Sequence, residues 1–462
     1  MGFARFMWGF TVDDALISVR YARHVAGGVG YRFNPDGPST DGVTPLPWVF
    51  VLAPLARGAP FAVLEMAKWI GALATALGAA CLVGQLAQSK EQPLEARICG
   101  ALLVVAPLPV CAYAASGMET GMATLGISLA AACWSRPRWA AACAGLAATF
   151  RPELGPFAVT VALLATRARA DARTPARLMA ALGLAVAPFG ACVVARLVLF
   201  GRPAPLALSA KPSDLSHGLV YALAAVLVGA VPVAALALIF QPRERRDARS
   251  VGLGVAFLVH VVTVVVVGGD WMPFARLMAP VLPALAFALG AAPIPAWRGW
   301  VRRLFLAPAC LLLAFTWAHN APEGRQVSAD REALARAAAP LLGRTVATID
   351  VGWPSAARDD VTLVDLAGLT DPEIAFLAGG HTSKRVDPGM LLARNVDTLL
   401  LFSATSTRGP SGEPLAPSYT RVLDARLGDS SVIARHFHDV GYVRLGSHGG
   451  YQVLRKREAP TN

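Results

Sequence analysis

Two adjacent carboxylates, Asp13 and Asp14, open the stretch "DDALISVRYARHV", and Arg20, Arg23 and His24 follow within it. A carboxylate can take a proton from a hydroxyl, and a guanidinium can neutralise a phosphate leaving group. Three further constellations carry acids, two of them with arginines: Glu119 in "SGMET", Arg151 with Glu153 in "FRPELGP", and Asp270 with Arg276 in "GGDWMPFAR". Each has a plainer alternative. The aspartates suit a helix N-terminus, where Asp caps well and has the favoured charge sign. Glu119 suits the interfacial start of a helix, and Arg151 with Glu153 suits a structural ion pair. Arg276 falls about one turn inside a helix expected to start at Pro273, from which it can snorkel to lipid headgroups. Neighbouring side chains on a helix point about 100° apart, so Asp13 and Asp14 cannot share one substrate atom from a regular helix unless they sit at its frayed start. One as general base and the other as a positioning or metal group is the natural division. The lone His260 inside an apolar run reads as packing.

The elements that must position these groups follow from periodicity. Val12, Ala15, Leu16, Val19 and Ala22 make one helical stripe, Asp13, Arg20 and His24 a second, and Gly27-Gly28 a stop. Such a helix suits lying on a membrane surface, apolar side down.

The whole chain has a membrane composition. It is 55% hydrophobic and 16% charged, with mean hydropathy +0.51, where a soluble domain carries about a quarter charged residues. The net charge of +12 sits largely in short tracts between apolar runs, as the positive-inside rule distributes it, so nucleic acid is not an expected partner. All seven cysteines lie in apolar runs without ligand spacing and read as packing residues. The opening "MGFARFMWGF" lacks the apolar core and cleavage site of a signal peptide.

Apolar runs fall at about 43–57, 61–88, 95–113, 118–134, 138–150, 153–167, 176–200, 217–240, 251–268, 272–292 and 301–318. The tracts holding Lys90 and Arg97; Arg136 and Arg138; Arg167, Arg169, Arg173 and Arg177; Arg243, Arg245, Arg246 and Arg249; and Arg298, Arg302 and Arg303 are expected on the cytoplasmic side. The four acid-bearing constellations are expected on the outer side. The two sets alternate if 43–57 does not cross and if the chain dips and turns back at Arg151. That gives about ten crossings and puts Asp13 and everything after 319 outside. Only twelve residues precede Asp13, about 18 Å of helix against a core of about 30 Å; the sequence favours a start truncated before a first anchor.

After Asn320, "RTVATID", "VTLVDL", "DTLLLF", "YVRL" and "YQVLRK" read as strands, with "DPEIAFLA" and "PGMLLARN" as helices between them. The expected architecture is therefore an all-α membrane bundle over 1–319, with a first outer loop at 11–45, and a soluble extracytoplasmic α/β domain over 320–462.

"DDALISVRYARHVAGGVGYRFNPDGPSTDGVTPLPWVFVLA" resembles the opening extracytoplasmic loop of GT-C-fold glycosyltransferases. It is most similar to the bacterial branch that includes mycobacterial terminal β-(1→2) arabinofuranosyltransferases. "SGMET", "FRPE", "GGDWMPFAR" and "VDLAGLTDPEIA" extend the likeness in order along most of the chain. Two positions depart from the pattern: His24 stands where Asn is usual, and Asp41 where Glu is common. The family's first membrane helix is also missing. The resemblance implies a membrane enzyme that moves a sugar, with inversion, from a polyprenyl-phosphate donor to a cell-envelope glycan or lipid acceptor at the outer face of the bacterial cytoplasmic membrane. It implies an acid/base role for Asp13 and Asp14, and substrate-binding positions at Arg20, Glu119, Arg151, Glu153, Asp270 and Arg276. A divalent metal is compatible with such chemistry, and no ligand spacing decides it. Two other classes stay open: a transporter or lipid flippase lined by these ionisable groups, and a non-catalytic envelope scaffold.

Overall fold

Runs of Ala, Leu, Val and Gly fold into helices that pack closely wherever side chains are small. The structure, a computed structural model, describes residues 2–90, 92–169, 174–240, 247–292, 299–409, 411, 413 and 415–458. Arg173, Arg243, Arg245, Arg246 and Arg298 of the basic tracts lie outside the described residues, as does the side chain of Arg302. Among the described residues four helices are long and apolar enough to cross a membrane: Pro60–Gln88, Pro175–Phe200, Ala248–Val266 and Gly299–His319. Two bent pairs, Leu94–Val105 with Leu108–Ala114 (45°) and Leu215–Gly229 with Val231–Ile239 (82°), raise the number to six if each is one span. That is fewer than the ten expected. The shortfall lies in 118–134, 138–167 and 272–292, where apolar run length overstates helix length. Thr120–Ala132, Pro137–Phe150, Gly155–Arg167 and Leu282–Ala291 have 10 to 14 residues, about 15–21 Å of rise.

These short helices are held by close backbone approach. A Cβ on Gly121 would sit 2.4 Å from the Gly71 carbonyl oxygen, which locks Thr120–Ala132 against Pro60–Gln88. A Cβ on Gly145 would sit 2.6 Å from the Ala185 carbonyl oxygen, with the same effect between Pro137–Phe150 and Pro175–Phe200. Basic ends gather at one pole. Arg303 pairs with Glu95 at 3.0 Å, Arg169 donates to the Ser135 carbonyl at 2.7 Å, and Gln85 donates to the Ala132 carbonyl at 3.0 Å. The run at 43–57 forms Leu46–Leu52 and a 3-10 turn, too short to span.

At the other pole sits the C-terminal domain. Its sheet comprises β1 (Thr345–Thr348), β2 (Thr362–Asp365), β3 (Thr398–Ser403), β4 (Phe437–Arg444) and β5 (Gly450–Lys456), in the order β2-β1-β3-β5-β4. β1 lies parallel to β2 and β3, while β5 runs antiparallel to β3 and β4. The five strands read from the sequence are these, and Pro372–Ala375 and Pro388–Ala393 are the two helices.

One expectation about the first loop is corrected. The helix Asp13–Ala26 has the anticipated bounds, yet it does not rest on a membrane surface. Every residue from Ala15 to Ala22 is buried, Ser18 and Arg20 included. The apolar core of the C-terminal sheet, with Leu363, Leu399 and Val453, continues without a break through Leu16, Val19, Trp48 and Val63. The loop is thus a layer between bundle and sheet, buried on all sides because both neighbours offer apolar surface.

Candidate functional site

Between that layer, the bundle and the C-terminal domain lies a cavity of about 310 Å³. Asp14, Glu119, Arg151, Glu153, Asp270 and Arg276 line it, together with Lys211 and Arg196. Six of the eight candidate residues therefore converge, from sequence positions more than 250 residues apart.

Each charged group is placed by a break in helical structure. Arg151 sits between Pro137–Phe150 and the turn Pro152–Leu154, with extended backbone (φ −140°, ψ 94°), where the expected reversal occurs. All three guanidinium nitrogens of Arg151 are engaged. Its Nη1 reaches Glu119 Oε1 at 2.9 Å, Nε reaches Glu153 Oε1 at 2.7 Å, and Nη2 lies 2.5 Å from the same oxygen. Arg151 is therefore a clamp that assembles the acids. Glu119 is fully buried, and its Oε2 is without a hydrogen-bond partner among the described residues.

The turn carrying Asp270 and Arg276 differs from expectation. No helix starts at Pro273; the next begins at Leu282. Residues 267–281 form an irregular segment in which Phe274 (φ +58°) and Ala275 (φ +49°) hold left-handed backbone, costly for side chains of that kind. Strain of this sort persists when its surroundings over-determine it. Here Tyr113 donates to the Pro273 carbonyl at 2.7 Å, and the Leu277 amide donates to the Tyr221 hydroxyl at 3.0 Å. Arg276 is thereby aimed at the cavity from a turn rather than presented from a helix face.

Arg276 spends only Nε on a protein partner, Asp270 Oδ2, at 2.6 Å. Its two terminal nitrogens have no partner among the described residues, nor has the Lys211 ammonium. Burial works against the Arg276 charge, but Asp270 and Glu119 hold its pKa above the ordinary arginine value. Burial likewise pushes Asp270 up, and the surrounding Arg276, Lys211 and Arg151 charges outweigh it and hold that carboxyl below its usual range. Asp14 is the remaining acid. No donor among the described residues reaches its carboxylate, which faces the cavity half-buried. The cavity wall thus holds the Asp14 carboxylate, the unspent terminal nitrogens of an Arg276 paired through Nε, and the Lys211 ammonium, while Ile17, Phe189, Leu208 and Val267 make part of it apolar.

Asp13 and Arg20 are not on this wall, and their assignment to the site is corrected. Asp13 does not cap its own helix. Its Oδ2 and Oδ1 accept from the Gly352 and Trp353 amides at 2.7 and 2.9 Å, so it caps the helix Gly352–Ala357 of the C-terminal domain. Burial, with Asp350 close by, raises its pKa. Arg20 donates from Nε to the Phe33 carbonyl and from Nη2 to the Val361 carbonyl, both at 2.7 Å. Asn34 pairs its amide with both backbone groups of Leu363 (2.8 and 2.9 Å), covering the open edge of β2. Much of the first-loop motif is therefore docking hardware. Asp41 belongs to it too, since its Oδ2 accepts from Arg196 Nε at 2.6 Å and ties the loop to Pro175–Phe200.

Two residues, Lys211 on the cavity wall and His381 near it, had no sequence signal. Lys211 stands alone in "SAKPSD". His381 of the C-terminal domain lies with its ring centroid 5.7 Å from that of Trp271, and burial and Lys211 push its pKa down to about 4. Trp271, 65% exposed, also stacks on His217 at 4.2 Å. Among the described residues no three His, Cys, Asp or Glu side chains are grouped to hold a metal ion, so the divalent ion that the chemistry allows has no ligand set there. No protein-family model matches the chain, and no curated protein matches its sequence.

Proposed function

We propose that this multi-pass membrane protein is an inverting glycosyltransferase of the GT-C kind. It moves a sugar from a polyprenyl-phosphate donor to a cell-envelope glycan or lipid at the outer face of the bacterial cytoplasmic membrane. The observation that carries the reading is that the Asp14 carboxylate, the terminal nitrogens of Arg276 and the Lys211 ammonium, all without partners among the described residues, line one partly apolar cavity. In the transfer, Asp14 takes the proton of the acceptor hydroxyl as that oxygen bonds to the anomeric carbon. The bond from that carbon to the phosphate oxygen breaks with its electron pair, and Arg276 and Lys211 meet the charge left on polyprenyl phosphate. Attack from the face opposite the phosphate gives inversion. The apolar wall suits the first prenyl units.

The ten-crossing reading is also supported as part of this proposal. Pro60–Gln88 and Thr120–Ala132 run the same way, with Gly71 beside Gly121 and Gly78 beside Ser128. Counting every helical segment or bent pair that links the basic pole to the cavity pole gives 60–88, 94–114, 120–132, 137–150, 155–167, 175–200, 215–239, 248–266, 282–291 and 299–319. On this reading the short ones end early because the cavity floor is sunk below the interface. It also places the C-terminal domain outside.

Mass analysis of envelope glycans and of the polyprenyl-phospho-sugar pool in cells lacking the protein tests the proposal. The expected result is a glycan or lipid short by one residue type, with accumulation of the donor; unchanged glycans and an unchanged pool would refute it.

A further inference from the structure

A second opening lies on the far side of the Asp13–Ala26 helix. It is a crevice of about 420 Å³ lined by Arg20, Arg23, His24, Arg57 and Asp359. Arg23 meets Asp359 through both carboxylate oxygens, at 2.5 and 2.8 Å, and closes one wall. Arg20 is 3% exposed and has Nε and Nη2 fixed by carbonyls, which leaves Nη1 as a preset donor without a partner among the described residues. Arg57 is exposed and likewise has no partner there. His24 is held neutral, its pKa lowered by burial and by Arg20 and Arg23, while its Nδ1 contacts the Arg32 carbonyl at 2.8 Å. Three guanidiniums thus face one carboxylate, and two of the three have nitrogens to spare.

The position of the crevice fixes its ligand chemistry further. Arg57 stands three residues before Pro60, where the spanning helix Pro60–Gln88 begins. That helix exposes Met66, Trp69, Leu73 and Leu77 along one face, as a lipid-facing helix does. Arg57 is therefore at headgroup height, on the side of the membrane that carries the C-terminal domain, whose Asp359 completes the crevice. We propose that this crevice binds a phosphate group at the membrane surface, with Arg20 Nη1 and Arg57 as its donors, apart from the Asp14–Arg276 cavity. A fixed guanidinium and an exposed one lining the same crevice suit the two free oxygens of a phosphodiester. The inference does not depend on the sugar-transfer reading.

Native mass spectrometry of the detergent-purified full chain provides the test. The added probes are phosphatidylglycerol, diacylglycerol of the same chains, and inorganic phosphate. The proposal expects retention of phosphatidylglycerol over diacylglycerol, and about a tenfold loss of it in Arg57→Glu but not in Arg435→Glu, a charge change of equal size on the C-terminal domain. If millimolar phosphate displaces the lipid from wild type, a free anion takes the same site; if it does not, the site is one for a lipid headgroup. Equal phosphatidylglycerol retention by Arg57→Glu and wild type, or no preference over diacylglycerol together with phosphate binding that ignores Arg57, would overturn it. Because Arg57 is exposed and supports no contact, its variant separates ligand loss from misfolding.

Discussion

Replacing Asp13 by Ala should loosen the C-terminal domain where it meets the first loop. The substitution removes a carboxylate that accepts two backbone amides, Gly352 and Trp353, at the first turn of Gly352–Ala357. Charge-assisted bonds of this kind are worth about 1.5–3 kcal/mol each in isolation. Burial and the nearby Asp350 oppose the Asp13 charge, so the pair together should be worth about 2 kcal/mol, the upper range of a helix cap. Under rapid reclosing, about 2 kcal/mol means roughly 30-fold faster hydrogen exchange at these amides. Asp13→Asn keeps one acceptor and should give about half the free-energy loss, or roughly fivefold. The pH dependence has a definite sign. The Asp13 pKa is raised in the docked state, so that state holds a proton that the opened state has lost; protection should fall as pH rises above about 4. Asp350 contributes oppositely and in a lower window. Arg421 and Tyr451 outweigh its burial and hold it below its usual range, so its stabilisation is lost only as pH falls below about 4. Exchange mass spectrometry on the detergent-solubilised chain at pH 5 and pH 8, expressed as protection factors, reads both effects. Unchanged protection of Gly352 and Trp353 in Asp13→Ala, or wild-type protection that rises between those pH values, would refute this reasoning.

Two further perturbations probe the bundle. Glu119→Leu leaves the buried Arg151 without one of its two acids and should cost about 3–5 kcal/mol, whereas Glu119→Leu combined with Arg151→Met should cost less than the first change alone; thermal unfolding in detergent measures both. Gly121→Ala places a methyl 2.4 Å from the Gly71 carbonyl oxygen and should lower stability by about 1–3 kcal/mol, while Gly84→Ala, with nothing within 4 Å, should be neutral or mildly stabilising in the same assay.

Much of the scaffold was readable from local pattern. The Asp13–Ala26 helix has a clean apolar stripe and a glycine stop, the strands have β-rich runs between turns, and the reversal at Arg151 follows from charge alternation. The convergence of six charged residues was legible because such groups are costly near lipid and gather where they compensate one another. What escaped the sequence is what depends on distant partners. Asp13 and Asp14 are equivalent in sequence, and only the arrival of Gly352 and Trp353, some 340 residues later, separates the capping acid from the free one. Arg20 lies off the cavity wall for the same reason, since one of its acceptors is a backbone carbonyl at Val361 that carries no side-chain signal. Pro273 reads as a helix start, but the left-handed Phe274 and Ala275 are set by Tyr113 and Tyr221 from other segments. Lys211 and His381 stand alone in their loops and become part of a site only by placement. Fewer full-length spans appear among the described residues than apolar runs suggest, because those runs continue through turns and exceed helix length at 272–292 and elsewhere.

Sugar transfer by membranes carrying Asp14→Asn, compared with Asp13→Asn and with a labelled polyprenyl-phospho-sugar as donor, asks whether Asp14 is the proton acceptor. Asp14→Asn should abolish transfer while Asp13→Asn retains a substantial part of it, because Asp14 and not Asp13 lines the cavity shared with Arg276 and Lys211. Full transfer by the Asp14 variant, with loss confined to the Asp13 variant, would contradict that assignment.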